Sequence, residues 1–447
     1  MVNTVEIIVM KINLPDEVEK ILSLLADAGH EAYCVGGAVR DSVMGITPGD
    51  WDITTSALPQ DTTKIFEDYK TIDTGLKHGT LTVIINHKPF EITTYRIDGE
   101  YSDNRHPQNV EFTSNLSHDL ARRDFTINAL AYNHTTGLVD LYGGQDHIYN
   151  SIIKTVGDPH KRFCEDGLRI LRALRFASVL GFNIDDETAQ AIHKNKDLLK
   201  NISAERIAVE LTKLVCGKNA FKILIEYPDV FSVFIPEIAP AVDFTQYGKK
   251  HAYDVWEHIC HTVDTVPQDK ILRLTMLLHD LGKVPTHRLN DMGDSTFKNH
   301  AMVGGDMAKE ILTRLRFDKK TINRVAFLVS HHDFEPVESK IELKRHLKNK
   351  TPEDIRTLLI IKKSDRGALS ESYRDISEGT QKTLEWLKEI EENNECCTIK
   401  DLDITGNDLL NAGFTGEEIG EALEKALDAV IEEKIPNKKA DLLTYSL

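Results

Sequence analysis

The chain has 447 residues, of which 41% are hydrophobic and 28% charged, with a formal net charge of −17. That length calls for several domains, since one core seldom grows past ~250–300 residues, and that composition is the composition of a globular protein without the ~20-residue apolar run of a membrane span. The acid excess argues against broad, non-specific nucleic-acid binding, although a local basic face such as Lys161, Arg162, Arg169, Arg172 and Arg175 can still hold an RNA.

Residues 1–10 carry Glu6, no basic stretch and no small-residue cleavage site, so no signal peptide is expected. Six scattered cysteines (Cys34, Cys164, Cys216, Cys260, Cys396 and Cys397) form no C-x-x-C pair. That speaks against a zinc ribbon or a redox motif and fits reduced thiols in a cytoplasmic protein.

In chain order, residues 20–150 mix helix and strand in a domain of ordinary size. The apolar run Ala32-Tyr33-Cys34-Val35 leads into Gly36-Gly37 and then Arg40-Asp41. A glycine pair lets backbone N–H groups approach phosphate closely, and Arg40 adds charge on the next turn. Then comes Gly49-Asp50-Trp51-Asp52-Ile53. Strand side chains alternate with period two, so Asp50 and Asp52 are expected on one face. Two hard carboxylates there suit Mg²⁺ held between protein and a nucleoside triphosphate. Alone, a Gly-Gly is usually a turn and an Asp-x-Asp usually solvated surface. In one strand–turn–helix–strand unit, they point to nucleotidyl transfer.

Residues 81–85 and 90–95 read as paired strands around a turn at 86–89, with Glu91 on the second. Residues 98–107 read as a surface loop rich in Gly, Asn and Pro. The run Arg122-Arg123-Asp124-Phe125-Thr126-Ile127-Asn128-Ala129-Leu130 reads as a helix start with Asp124 as N-cap. Two adjacent arginines at that entrance would clamp a triphosphate or ribose.

Beyond Gly157-Asp158-Pro159 the pattern is almost wholly helical, with a neck over 151–245. Leu168, Leu171 and Leu174, then Leu211, Leu214 and Val215, recur at helical spacing. Asp166, Arg169 and Arg172 fall at i, i+3, i+6 on one side of a predicted helix. The plain reading is a solvated salt-bridge ladder worth ~0.2–0.5 kcal/mol per pair. The sharper reading is base selection. Cytosine and adenine present an amino donor beside a ring-nitrogen acceptor, and an Asp–Arg pair complements that edge while opposing guanine and uracil. Each such pairing discriminates by ~1–3 kcal/mol.

Residues 246–370 are helical and rich in His and Asp: His258, His279-Asp280, His300, His331-His332 and Asp365. An adjacent His-Asp pair with distant His and Asp on other helices has the spacing of an HD-domain metal site, whose imidazole and carboxylate donors suit a transition metal or Mg²⁺. The tail, 371–447, is helical and acidic, and includes Ile404-Thr405-Gly406-Asn407-Asp408 and Gly413-Phe414-Thr415-Gly416.

The order and spacing of three motifs resemble the class II tRNA nucleotidyltransferases, the CCA-adding family that includes bacterial poly(A) polymerases. These are Gly36-Gly37-x-Val39-Arg40-Asp41 with Asp50-x-Asp52, Arg122-Arg123-Asp124-Phe125-Thr126-Ile127-Asn128-Ala129, and Glu165-Asp166-x-x-Arg169. The likeness covers roughly residues 25–240 and continues through Ser203-Ala204-Glu205-Arg206-Ile207. It implies an α+β architecture: a small mixed α/β nucleotidyltransferase head (20–150), then a mostly helical neck (151–245), an HD domain (246–370) and a tail (371–447) that contacts tRNA. Asp50 and Asp52 would bind Mg²⁺, with Glu91 orienting the attacking 3′-hydroxyl or assisting its deprotonation. Gly36, Gly37, Arg40, Arg123 and Asp124 would hold triphosphate and ribose. Asp166 and Arg169 would read the base, supported by Arg172 and Arg175. The partners implied are tRNA, CTP and ATP, with no membrane; the oligomeric state is unread.

The same resemblance implies His258, His279, Asp280 and Asp365 as HD ligands for Mg²⁺, Mn²⁺ or Ni²⁺, with His300 and His331 completing a second position. His251, His261, His287 and His332 would be bystanders. The loop at 98–107 looks intact, which favours complete CCA or A addition, and the segment Gly75-Leu76-Lys77-His78-Gly79-Thr80 resembles CCA-adding members. A-only addition and poly(A) synthesis stand as alternatives, as does an HD phosphohydrolase whose head senses nucleotide.

Overall fold

The computed structural model describes residues 11–73, 75–76, 79–99 and 110–446. The loop expected at 98–107 therefore lies outside the described residues from 100 onward, as do Lys77 and His78. The chain divides into two compact units: residues up to Ala239 with Arg314–Phe317, and Pro240–Thr313 with Asp318 onward.

The first unit is built on a seven-stranded sheet in the order β3-β4-β5-β2-β1-β8-β9. Its strands are β1 (Ala32–Val35), β2 (Asp52–Thr55), β3 (Lys70–Ile72), β4 (Thr80–Ile85), β5 (Lys88–Thr94), β8 (Leu130–Asn133) and β9 (Gly137–Asp140). Every residue of β1 is buried, as a continuous apolar run in a central strand should be. β2 runs parallel to β5, and every other pairing in the sheet is antiparallel. The turn expected at 86–89 tightens to Asn86 and His87, both at positive φ (50° and 65°), so β5 begins at Lys88. Two residues in that conformation match the right-handed twist of the flanking strands. A short ribbon of β6 (Arg96–Asp98) and β7 (Val110–Phe112) flanks the undescribed loop.

Helices cover the sheet. α1 (Asp16–Asp27) buries Val18, Ile21 and Leu25 at helical spacing and gathers Asp16, Glu17 and Glu19 in its first turn, where the helix dipole favours them. α2 (Gly37–Val43), α3 (Pro59–Ile65), α4 (Leu116–Ala121) and α5 (Gly144–Tyr149) are short. The helical neck follows in the same unit: α6 (Pro159–Glu165), α7 (Leu168–Leu180), α8 (Asp186–Asn195), α9 (Ala204–Val215), α10 (Ala220–Glu226) and α11 (Pro228–Phe231). Asp158 caps α6 with Pro159 at its first turn, and α7 stops at Gly181, φ 72°. Backbone bonds join head to neck: Thr126 N–H donates to Lys154 O, and Val156 N–H to Asp124 O. The parallel pair β10 (Ile152–Ile153) and β11 (Asn183–Ile184) lies within the neck.

The second unit is helical apart from a two-residue hairpin, β12 (Arg288–Leu289) with β13 (Ser295–Thr296). Its helices are α12 (Val255–Thr265), α13 (Lys270–Leu278), α14 (Lys283–Thr286), α15 (His300–Arg314), α16 (Lys319–Ser330), α17 (Lys340–Leu347), α18 (Pro352–Gly367), α19 (Ser377–Glu392), α20 (Gly406–Asn411), α21 (Glu417–Ile431) and α22 (Lys439–Ser446). α13 packs against α12 and α16, and α12 against α18. The tail has its own apolar core around Leu402, Ile404, Leu409, Leu427, Ile431 and Leu442. Among the described residues, no helix is long and apolar enough to cross a membrane.

Candidate functional site

Asp52 opens β2, and the parallel pairing of β2 with β5 sets it directly opposite Glu91. Both residues are exposed, and the register turns the two carboxylates the same way across one strand spacing. Asp50 precedes the strand instead of lying on it, and is exposed, while Trp51 turns inward at 9% exposure. Protein packed around Asp52 raises its pKa, and Glu91 and Asp50 add to that; Arg123 opposes them. A carboxylate crowded by carboxylates is a site short of positive charge.

Gly36 stands at the end of β1 with φ 72°, a conformation glycine adopts without strain. A Cβ on Gly36 would sit 3.3 Å from Arg123 Nη1 and 4.0 Å from Asp52 Oδ2. The missing side chain therefore leaves an opening bounded by the arginine and the carboxylate. Burial lowers the pKa of Arg123, while Asp119 and Asp52 push it back up. Arg40 is less available than its position suggested. Its guanidinium donates to Asp41 Oδ1 and to Asn128 Oδ1 at 2.7 Å and lies over the Phe176 ring. Its Nη2 still stands 3.6 Å from where a Gly37 Cβ would be.

The helix expected at Asp124 does not form. α4 ends at Ala121 with Arg122 as its C-cap, so the arginine pair follows a helix instead of opening one. Asp124 leads only into a 3-10 turn, Thr126–Asn128, because β8 claims the chain from Leu130 to complete the sheet on β1. Asp124 is committed to the protein. Oδ2 accepts from Arg172 Nε and Nη2, and Oδ1 from the Phe125 N–H and Asn128 Nδ2. Burial alone would raise its pKa, but Arg172, Asn128 and Arg169 outweigh that and hold it at about 2. Its place in the architecture is to tie the 122–128 segment to α7.

Asp166 likewise stands outside the helix expected to carry it. It caps α6 at φ −140°, and α7 starts two residues later. Arg169, Arg172 and Arg175 do share one side of α7. Asp166 Oδ1 accepts the Leu168 N–H, and Oδ2 accepts from Arg206 Nη2 at 2.7 Å. Arg169 gives Nη1 to Arg162 O and Glu165, and Nη2 to Arg122 O. These bonds use three of five guanidinium donors and two of about four carboxylate lone pairs, so both residues keep capacity for a base edge. Arg175 pairs with Glu210 at 2.6 Å and stacks on Phe176 at 3.9 Å; Glu210 also lies 3.7 Å from Arg172. Arg206 and Glu210 escaped the sequence reading as site residues. Their signal is visible in hindsight: two charges at i and i+4 on α9, the helix that packs on α7.

The second unit holds a tighter cluster. Among the described residues, two groups of three or more His, Cys, Asp or Glu bring one ligand atom each within 4.8 Å of one another: His258, His279, Asp280 and Asp365, and Asp280, His300 and His332. The head carboxylates are not among these groups. Asp280 belongs to both. His258 Nε2 lies 3.1 Å from Asp365 Oδ1 and 3.3 Å from Asp280 Oδ2, and His279 Nε2 also lies 3.3 Å from Asp280 Oδ2. His300 and His332 Nε2 each stand 3.5 Å from Asp280 Oδ1. His279, His300 and His332 face Nδ1 to the carbonyls of Met276, Phe297 and Val329. That bond makes Nδ1 the donor and leaves Nε2 with the lone pair a metal needs. His279 Nε2 and Asp280 Oδ1 are buried without a hydrogen-bond partner. Unpaired buried polar atoms that converge are what a metal would satisfy. Burial pulls His279 and His300 below the ordinary imidazole range, while Asp280 carries His332 above it against burial. Lys283 donates to Gln246 and lies 2.6 Å from Asp280 Oδ2.

The geometry corrects one expected ligand. His332, read as a bystander, joins the cluster, and His331 does not. His331 turns Nδ1 to Phe327 O and packs on the Phe327 ring at 4.4 Å. Ile322, Val325 and Val329 form the buried stripe of α16, and the next residue at that spacing is His332. His251, His261 and His287 remain outside both groups.

Comparison with known proteins follows the same outline. Residues 32–154 match the family described as Poly A polymerase head domain, 181–242 the one described as Probable RNA and SrmB-binding site of polymerase A, and 300–445 the one described as tRNA nucleotidyltransferase domain 2. A CCA-adding enzyme of Leuconostoc mesenteroides is 32% identical over 430 residues, 94% of each chain. This chain belongs to the CCA-adding enzyme family. Locally the likeness is stronger: a family member from Lactobacillus helveticus is 49% identical over 252 residues, 55% of this chain. There the chain spans 60% of the relative's length, short of two thirds. The family's fold extends over both units. The crystal structure of the Bacillus stearothermophilus CCA-adding enzyme in complex with CTP superposes with a TM-score of 0.69 at 28% identity, covering 96% of each chain.

Proposed function

We propose that this chain is a template-independent nucleotidyltransferase that adds CMP and AMP, drawn from CTP and ATP, to the 3′ ends of tRNA. The observation that carries the reading is the register of Asp52 against Glu91, beside the gap at Gly36 that Arg123 borders, in a chain of the CCA-adding family. The hard oxygens of Asp50, Asp52 and Glu91 fit Mg²⁺, as does an opening that any Cβ would fill. Once bound there, the ion would supply charge stabilisation to the attacking and leaving oxygens. Arg123 and the backbone of Gly36 and Gly37 hold the triphosphate and ribose, with Arg40 bracing Gly37. Glu91 orients the tRNA 3′-hydroxyl and takes its proton. The 3′-oxygen then bonds to the α-phosphorus as the bond to the β-phosphate oxygen breaks and pyrophosphate leaves. Asp166 accepts the amino group of C or A while Arg169 donates to the adjacent ring atom. Asp124, Arg172 and Arg175 set the height of that pair by bracing α7.

The test is an incubation series of tRNA ending before CCA, after C and after CC, each with labelled CTP or ATP. Stepwise C, C, A products are expected, and A-only or long A-tailed products overturn the CCA assignment in favour of its alternatives. Changing Asp50 and Asp52 together to Ala is expected to abolish addition. Asp166→Ala or Arg169→Ala is expected to admit GTP and UTP, and selectivity left intact in both would sink the base-reading role.

A second reading has its own observation. The shared Asp280, with lone-pair imidazoles on both sides, favours a metal-dependent phosphohydrolase in the second unit. Opening of 2′,3′-cyclic AMP to 2′-AMP or 3′-AMP with Mg²⁺, Mn²⁺ or Ni²⁺ is the expected outcome; no opening with any of them removes that activity.

A further inference from the structure

Asp119, on α4, is a carboxylate with no exposure that the catalytic scheme above leaves unused. A buried carboxylate is costly unless it is well paired, and this one is paired three ways. Oδ1 accepts from Arg122 Nε at 2.9 Å, and Oδ2 accepts from Arg123 Nη2 at 3.2 Å. The Thr54 hydroxyl lies 3.2 Å from Oδ2 and 3.1 Å from Thr93 O. Thr54 follows Asp52 by two residues on β2, and Thr93 follows Glu91 by two on β5. All four side chains thus belong to one face of the sheet. Asp119 lies on that face, one residue pair along from the carboxylates.

We infer that Asp119 is a positioning residue for nucleotidyl transfer, holding the Arg123 guanidinium so that Nη1 faces the gap at Gly36. The inference rests on the nucleotidyltransferase reading. Only Nη2 of Arg123 is given to Asp119. Nη1 points to the position a Gly36 Cβ would occupy, and Nε is buried without a hydrogen-bond partner. An arginine anchored through Nη2, with Nη1 turned to an opening, is arranged to donate a charged hydrogen bond to a phosphate. Two adjacent guanidinium groups repel, and the anion between them lets both stay. Asp119 also ties the clamp to the strands bearing Asp52 and Glu91, so clamp and carboxylates keep a common frame. Asp119 touches neither nucleotide nor tRNA in this arrangement. Its effect passes through Arg123, whose contact to the triphosphate is made in ground state and transition state alike.

The experiment is steady-state addition to tRNA by Asp119→Asn, Arg123→Ala and the double variant. Asp119→Asn is expected to raise KM for CTP and for ATP by about tenfold, to the same extent, with kcat within about threefold. Selectivity against GTP and UTP stays, because Asp166 and Arg169 are untouched. In the Arg123→Ala background the same change adds little, since the group it positions is gone. Should Asp119→Asn fail to fold, Asp119→Glu carries the test: it keeps the charge and shifts the anchor by one methylene, and the same KM rise and non-additivity are expected. An unchanged KM, a loss confined to kcat, or full additivity with Arg123→Ala overturns the inference alone. Wild-type protein that transfers no CMP overturns the nucleotidyltransferase reading beneath it.

Discussion

Asp124 shows how far a single residue can stray from its sequence reading and still matter. It is no helix cap, and its oxygens are taken by Arg172, Asn128 and the Phe125 N–H. Its depressed pKa has a stability consequence. The folded value of about 2 lies below the ordinary 3.8, so the unfolded chain binds more protons between the two. The contribution is complete above pH 4 and is lost as pH falls toward 2; it amounts to about 2 kcal/mol. Urea unfolding followed from pH 5 to pH 2 is expected to show that loss, and Asp124→Asn to flatten it. Equal acid sensitivity in the two proteins would contradict the assignment. Residue identity at this site was legible wherever the side chain has one job. Asp52, Glu91 and Arg123 converge as their motifs suggested. Arg206 and Glu210 were not legible as site residues, because their partners lie on other segments and no short motif holds both ends of an ion pair.

At the scale of elements, the metal-type cluster depends on how closely two segments approach. A Cβ on Gly282 would lie 2.2 Å from His300 O and 2.7 Å from Gly304 N, and one on Gly304 would lie 3.1 Å from His279 O. Backbone meets backbone there, and that contact brings His279 and Asp280, at the end of α13, up to His300 at the start of α15. Gly282→Ala must push α15 away. The expected cost is about 1–3 kcal/mol of stability, and the change separates Asp280 from His300 while sparing His258, His279 and Asp365. Metal analysis after loading is expected to show fewer ions per chain than the wild type, and undiminished loading would mean that the two groups do not act as separate positions. Gly304, four residues after His300, thus has a packing reason to be glycine. The elements that failed expectation did so for one cause. The segment after Asp124 and the segment around Asp166 both look helical locally, but β8 and the break between α6 and α7 are imposed by partners far along the chain.

At the scale of the whole molecule, two units each carry their own titratable cluster and their own core. The nucleotide addition proposed above uses side chains of the first unit, and the imidazole–carboxylate cluster lies within the second. Asp280→Asn, which alters a residue common to both ligand groups, is expected to abolish metal uptake and cyclic-phosphate hydrolysis there. CMP and AMP addition is expected to stay within about twofold, as for sites without shared partners. Loss of addition in that variant, with the protein still folded, would show that the cluster serves the transferase. By itself the sequence determined which residues are candidates: a Gly-Gly turn before Asp-x-Asp, an arginine pair, an Asp and an Arg three residues apart, and a His-Asp pair. Such features are local, because hard ligands, phosphate cradles and helical stripes are written in spacings of one to four residues. Only the tertiary structure decided that Asp52 faces Glu91, that Asp119 anchors Arg123, and that His332 and not its neighbour meets Asp280. The first and last of those facts are registers between segments tens of residues apart, where a shift of one position turns a side chain to the other face, and the second follows from α4 ending at Ala121 so that Arg123 folds back on Asp119.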